Sequence, residues 1–345
     1  MRRRLPFLVL LAFCLTFSAV GCPCLRGPVN ASPGIRWWLF STFAASRVCP
    51  EVLKRGAPLK LGSLGSASVG RFFPTQCDAQ VDEERRTLLL RVTGTGYASL
   101  PVARRVGFQA TVAVEYAPDF FLADDDSTYV WGKFTRLPAQ PDFRIIGVEN
   151  PVVNLATQTP IGTVATLLGQ GIISGELGRG FTVVRQADGD DFAMGHLDPP
   201  AKPPRPARLF KAREDHASLA SDTTEIRSLS REYLGPFEVP GDGLALSLRS
   251  RLQGSALVFS VVDRASGDAW RRAYESAGPL GPPFIPPLHQ GQLPVGEGTQ
   301  TFPVAPGQYF IVLENRTPPP LLGLGVGLAD PVATLGYSVE LGSRP

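Results

Sequence analysis

The chain has 345 residues, 43% apolar and 19% charged, with a formal net charge of +3. This is not the composition of a disordered chain, which joins low hydrophobicity to high net charge; at ~100–200 residues per domain the length predicts two domains behind a leader. Arg2, Arg3 and Arg4 account for the whole net charge, so the rest is formally neutral, with no basic surplus for nucleic acid and no long-range field to steer a charged partner.

Those three arginines are followed by Leu5 to Val20, a run without a single charge. It is short for a membrane span, which needs ~20 apolar residues to cross ~30 Å of hydrocarbon. A basic flank, a short apolar run and small residues at its end read as a secretory signal over residues 1–21. The run closes on Ser18-Ala19-Val20-Gly21-Cys22. This resembles a bacterial lipobox, with Ala19 standing where leucine is usual. The resemblance implies that Cys22 is lipidated and becomes the mature N-terminus, carrying a diacylglyceryl group and an amide-linked acyl chain. Stable anchoring takes at least two membrane signals, and such a group would exceed that. Pro23 stands where Asp would retain a lipoprotein in the inner membrane. The implied location is therefore the cell envelope, at the outer membrane of a Gram-negative bacterium. The sequons at Asn30 and Asn315 have meaning only in a eukaryotic secretory pathway.

Residues 22–78 read as a tether and a helical segment. Ser32-Pro33 pairs a hydroxyl cap with proline at the first helical position. Ile35, Trp37, Trp38, Leu39, Phe40, Phe43 and Val48 then form an apolar helix. Pro50 is expected to break it, with a short helix over Glu51 to Arg55 ended by Gly56. The segment lacks the basic face expected of an interfacial helix, so Trp37 and Trp38 are read as core. In an oxidising compartment, Cys24, Cys49 and Cys77 allow one bridge and one leftover. Cys49–Cys77 is the expected pair because both lie in segments that read as ordered, whereas Cys24 sits on the tether. No Cys-x-x-Cys pair or neighbouring histidine completes a metal site, and no cofactor motif is present.

Residues 79–197 read as a β-rich domain with one helix. Thr87–Thr93, Phe108–Tyr116, Tyr129–Thr135, Phe143–Val148, Phe181–Arg185 and Phe192–Met194 are the strands, rich in Val, Thr, Tyr and Phe. Asp124-Asp125-Asp126-Ser127 is a solvated hairpin loop, since three adjacent carboxylates fall short of the six to eight spaced oxygens of a calcium site. Thr159-Pro160 begins a glycine-interrupted helix reaching Leu177. Residues 198–207, rich in proline, read as a semi-rigid linker and domain boundary.

Residues 208–345 carry a second all-β pattern, expected to form a β-sandwich or jelly roll. Its strands are Tyr233–Val239, Leu244–Leu248, Ala256–Val262, Ala269–Tyr274, Thr299–Val304, Tyr309–Glu314 and Thr334–Leu341, with turns at Ser266-Gly267 and Pro306-Gly307. The run from Phe302 through Pro306-Gly307-Gln308-Tyr309 to Asn315 resembles the late hairpin of bacterial pre-peptidase C-terminal-type sandwich domains, and Leu257 to Asp263 fits the same layout. The stretch Gly278 to Gly298, dense in proline and glycine, departs from it. The fold class is thus mainly β, with a mixed α+β first domain.

His196, His216 and His289 fall in linkers or loops, outside any catalytic motif, so no enzyme is expected. The expected function is a lipid-anchored, non-enzymatic binding protein of the envelope. Its partners would be the membrane and an envelope protein or glycan. The alternatives are a carrier of lipid or another hydrophobic ligand, with the first domain curved around its helix, and a hydrolase with an unrecognised site.

Overall fold

A computed structural model describes residues 26–60, 66–100, 104–124, 127–149, 176–186, 189–194, 197–198, 203–206, 208–211, 213, 216–318 and 331–344. The leader, Cys22, Cys24, His196 and the expected helix before Glu176 lie outside the described residues. The protein is mainly β.

The chain enters through α1 (Arg26–Ala31), α2 (Pro33–Leu39), a π turn (Phe40–Ala44) and α3 (Ala45–Lys54). Ser32 caps α2 as its sequence predicts, its Oγ accepting from the Ile35 N–H at 3.4 Å. Pro50 does not break the helix, and α3 runs through it to Lys54. Proline there removes one backbone bond, but buried Val48, Glu51 and Val52 hold both flanks, and the Cys49–Cys77 disulfide pins the helix to a strand. Gly56 serves packing rather than capping: a Cβ there would come within 2.5 Å of the Phe73 ring.

The first half of the β structure comprises β1 (Ala57–Lys60), β2 (Ser68–Asp82), β3 (Thr87–Leu100), β4 (Arg104–Leu122), β5 (Thr128–Arg136), β6 (Asp142–Val148), β7 (Phe181–Gln186) and β8 (Gly189–Met194). Strands β2-β3-β4-β5-β7-β8 pair in that order, with β1 on β2 and β6 on β4. The α2–α3 segment covers one face of this sheet. Phe40, Val48 and Val52 join Leu88, Leu90, Val112 and Val114 in one core, where Phe108 stacks between Phe72 and Phe143. The alternation along β3 follows from the period of two in a strand. Two short strands, β9 (Leu197–Asp198) and β10 (Arg205–Pro206), pair across the proline-rich stretch.

The second half contains β11 (Ala217–Ile226), β12 (Ser230–Val239), β13 (Leu244–Gly254), β14 (Leu257–Asp263), α4 (Arg264–Glu275), β15 (His289–Leu293), β16 (Gly296–Pro303), β17 (Gly307–Asn315) and β18 (Ala333–Ser343). Two sheets, β16-β13-β18-β11 and β12-β17-β14-β15, face each other as a β-sandwich. The expected late hairpin is a crossover instead: β16 pairs with β13 in the first sheet and β17 with β12 and β14 in the second, so the run from Phe302 to Asn315 passes from one sheet to the other. Tyr309 Oη donates to the Ala305 carbonyl at 2.8 Å, closing the turn. Buried Asn315 donates to the carbonyls of Ile226 and Pro331 at 3.0 and 3.1 Å, fixing the end of β17. The stretch Gly278 to Gly298 supplies β15, whose pairing with β14 completes the second sheet.

Where Ala269–Tyr274 is expected as a strand, the structure has the helix α4, and the expected turn at Ser266-Gly267 lies inside it. Asp263 caps it by accepting from the Ser266 N–H at 2.9 Å. Trp270 and Tyr274, one turn apart, form its buried face. The pair reads as alternation over a short window, and only the helical period explains why both are buried on one side.

The strands on either side of residues 198–207 meet. Strand β11 joins β2 through a single parallel bridge, Thr224 to Ser68, so one hydrogen-bonded sheet runs through both halves. Strand β17 serves two cores by alternation: Ile311 and Leu313 face the sandwich interior, while Phe310 and Val312 face Phe73, Tyr97, Tyr233, Trp270 and Tyr274. Polar contacts tie the same seam. Arg71 Nε meets Glu232 Oε1 at 2.8 Å, Arg71 Nη2 donates to Tyr337 Oη at 2.8 Å, and Lys60 Nζ meets Asp222 Oδ1 at 2.7 Å.

Two stability measurements follow. The disulfide closes a loop with a sequence separation of 28. Cys77→Ser should lower the unfolding free energy by about 3–4 kcal/mol in denaturant titrations, and reductant should have the same effect on the wild type alone. Glu176 Oε1 accepts from Arg179 and from the Lys60 N–H, but Oε2 is buried without a partner among the described residues. Burial pushes its carboxyl from 4.5 up to about 7, against the pull of Arg179 and Lys60. The native state therefore holds a proton that the unfolded chain releases, and stability falls as pH rises from about 4.5 to about 7. Glu176→Gln should abolish that fall, on the order of 3 kcal/mol, and be the more stable protein at pH 8.

Candidate functional site: an arginine-lined cleft

A cleft of about 210 Å³ opens where α3, β2, β12 and α4 converge. Arg55 follows α3, Phe73, Pro74 and Thr75 come from β2, and Pro236 from β12. Helix α4 contributes Arg264, Asp268, Arg271 and Arg272, three arginines and one carboxylate within its first three turns. The four guanidinium groups thus face one acidic side chain.

The packing of α4 sets this arrangement. Three arginines hold its surroundings by stacking on aromatic faces. Arg105 lies 4.1 Å over Tyr274, Arg231 lies 4.5 Å over Trp270, and Arg271 itself lies 4.2 Å over Phe73. A planar, weakly hydrated guanidinium suits such buried stacking, which a lysine ammonium would not reproduce. At the far end of α4, Gly107 of β4 lets the helix backbone approach. A Cβ there would collide with the Glu275 carbonyl oxygen.

The arginines differ in how far they are committed. Arg271 is buried and engaged by Thr95 at 3.0 Å, by Asp268 at 3.1 Å and by Glu275. Burial raises the Glu275 carboxyl, with Arg271 opposing that shift. Asp268 also meets Arg264 at 3.6 Å, and Arg264 donates to Gln308. Arg55 donates to the Leu219 carbonyl. Arg272 is exposed, and its guanidinium has no partner among the described residues. The cleft thus combines a fixed Arg271, whose charge is answered by Asp268 and Glu275, with a free guanidinium at its rim. Planar donors in this arrangement suit a carboxylate, phosphate or sulfate, which accept paired N–H bonds.

The residues singled out in the sequence lie elsewhere. Cys49 and Cys77 are bonded to each other, with Cα atoms 5.4 Å apart. His289 Nε2 lies 3.0 Å from the Pro303 carbonyl oxygen, and His216 lies against Gly342 at the end of β18. The turn holding Asp124 is closed by the Ala123 N–H donating to the Ser127 carbonyl at 2.9 Å. Among the described residues, no group of three His, Cys, Asp or Glu side chains could hold a metal ion, and no helix is long and apolar enough to cross a membrane. The cleft escaped the sequence reading because Ala269–Tyr274 reads as a strand, which scatters the three arginines of α4, and because Arg55, Phe73 and Pro236 join them only through packing. The available signal was Arg264, Asp268, Arg271 and Glu275, a chain of oppositely charged neighbours at helical spacing.

The chain matches no protein-family model, and its sequence matches no curated protein.

Removing Arg272 should cost affinity and not stability. In calorimetric titrations with inorganic phosphate, Arg272→Ala should bind about tenfold more weakly, ~1.4 kcal/mol. Its unfolding free energy should stay within the range of an ordinary surface substitution, about ±0.5 kcal/mol.

Proposed function

We propose that this protein is a lipid-anchored binding protein of the bacterial cell envelope, tethered through Cys22 and acting without catalysis. Its C-terminal half would be a sandwich of the pre-peptidase C-terminal type. The observation that carries the binding role is the arginine-lined cleft: four guanidinium groups and a single carboxylate around about 210 Å³. That volume is below the ~300–1,000 Å³ typical of sites that enclose a whole small molecule. It suits one acidic group projecting from a larger partner. An envelope glycan bearing phosphate or carboxylate groups has that form, and the outer membrane position implied by Cys22 and Pro23 would bring it within reach.

The carrier reading has less support. It rests on strands curved around the helix expected from Thr159-Pro160, which lies outside the described residues before Glu176, and no cavity among the described residues supports it. A hydrolase would need a base beside a reacting group, and the cleft offers only Asp268, already shared between Arg264 and Arg271.

Membrane-purified protein should yield a triacylated N-terminal peptide beginning at Cys22 by mass spectrometry, lost in Cys22→Ala. An unmodified N-terminus in the soluble fraction overturns the anchor. The same wild-type protein should retain acidic envelope glycan on a column, and Arg264→Glu/Arg272→Glu should release it. Retention equal in both overturns the cleft as the binding site.

A further inference from the structure

The α2–α3 segment is apolar on both sides. Phe40, Ala45, Val48 and Val52 face the sheet. On the other side, Ile35 is 41%, Trp38 46% and Phe43 53% exposed. The sequence expectation that both tryptophans fill a core thus holds only in part. Trp37 is half-buried, its Nε1 donating to Glu83 at 2.7 Å, while Trp38 faces out. The π turn joins the outer residues into one surface. An α-helix brings i and i+4 together, whereas the wider π turn brings i and i+5 together. Trp38 and Phe43 accordingly meet edge to face, ring centroids 5.7 Å apart.

The setting of this face points to its occupant. Of the basic residues in this segment, Arg26, Arg36 and Lys54 are paired with Asp124, Asp119 and Glu51, and Arg55 lines the cleft, which leaves Arg47 for the outer face. Arg47 is exposed and follows Ser46, itself exposed, along the outer side of α3. The link from Cys22 to Arg26 is short: fully extended at ~3.3–3.6 Å per residue, it reaches at most about 14 Å. An acyl chain on Cys22 therefore keeps the face close to the bilayer. Exposed tryptophan and phenylalanine beside a single arginine, Arg47, match the interfacial region of a phospholipid bilayer, where amphipathic aromatics concentrate.

We propose that Ile35, Trp38 and Phe43 seat in the phospholipid interface beside the acylated Cys22, so that the anchor orients the protein on the membrane as well as tethering it. This rests on the lipid-anchor reading above. The face adds a second contact that a tether alone does not supply, and it fixes which way the arginine-lined cleft points.

The test uses full-length wild type, Trp38→Ser and Ile35→Ser/Phe43→Ser, purified from membranes and reconstituted in vesicles of phosphatidylethanolamine and phosphatidylglycerol. Half of the vesicles carry bromine on the acyl chains near the headgroups. Mass spectrometry of each sample first reports acylation at Cys22. The emission assigned to Trp38, as the difference between wild type and Trp38→Ser, should be blue-shifted and largely lost in brominated vesicles. In Ile35→Ser/Phe43→Ser it should return towards its value in water, with far-ultraviolet circular dichroism unchanged. Trp38 emission indifferent to bromine in acylated protein overturns the proposal and leaves the anchor standing. Quenching of Trp38 in non-acylated protein on added vesicles supports the face and removes the anchor. A dimer in detergent that Ile35→Ser/Phe43→Ser dissociates, together with unquenched Trp38, assigns the face to a second copy and also overturns the proposal.

Discussion

The buried pair of Arg71 and Glu232 holds this structure in one arrangement. Each side chain is at most 4% exposed, and their 2.8 Å contact joins β2 to β12 across the middle of the chain. Burial raises the Glu232 carboxyl, while Arg71 and the Tyr97 hydroxyl, donating at 2.9 Å, favour its charged form. Such a pair is poor evidence for net stability, because taking both charges out of water costs several kcal/mol per ion. What it imposes is register. Losing either partner leaves an uncompensated buried charge, so β2 and β12 can meet in few other ways. Arg71 also donates to the Gly56 carbonyl and to Tyr337, and Tyr97 Oη accepts from the Tyr233 N–H at 2.8 Å, which spreads the constraint to α3, β18 and β3.

Around that pair sits the aromatic layer that carries the cleft. Phe73 and Tyr97 come from the first half of the chain, and Tyr233, Trp270, Tyr274 and Phe310 from the second. Their rings pack mostly edge to face, as between Tyr97 and Tyr274 at 5.0 Å, a geometry that aromatic quadrupoles favour. Helix α4 lies on this layer with its cationic side turned to the groove beside β2. Structure and the proposed binding role are linked here: the layer that fixes the two halves also sets Arg264, Arg271 and Arg272 along one edge of a cleft. The N-terminal segment follows a similar logic. The disulfide and the Phe40, Val48 and Val52 contacts commit one side of the helices to the sheet, and the π turn gathers Ile35, Trp38 and Phe43 on the other.

Much of the β structure was legible because its strands alternate strongly. Thr87–Thr93, Phe108–Tyr116 and Tyr309–Glu314 fall inside observed strands, although β4 runs on to Leu122 through Pro118. Strands β2 and β11 were not read. The C-terminal part of β2 is largely exposed, and a bulge after Pro74 interrupts its pattern. Strand β11 reads Ala-Ser-Leu-Ala-Ser-Asp-Thr-Thr-Glu-Ile, and its buried Asp222 makes sense only once Lys60 is placed beside it.

By itself the sequence determined the mainly β class, the helix start at Ser32-Pro33, the sandwich of the second half and the pairing of Cys49 with Cys77. Each is a local matter of side-chain period, capping chemistry or elimination among few cysteines. The tertiary structure alone decided that β2 and β11 bridge the halves, that Trp38 faces outward and that Arg55 joins the arginines of α4 at one cleft. Those outcomes depend on contacts between residues far apart in the chain. Arg71 meets Glu232 and Tyr337, and Arg271 meets Phe73 and Thr95, only after β2, β12 and α4 have packed. No window of sequence holds both partners of such contacts, so no local pattern could announce them.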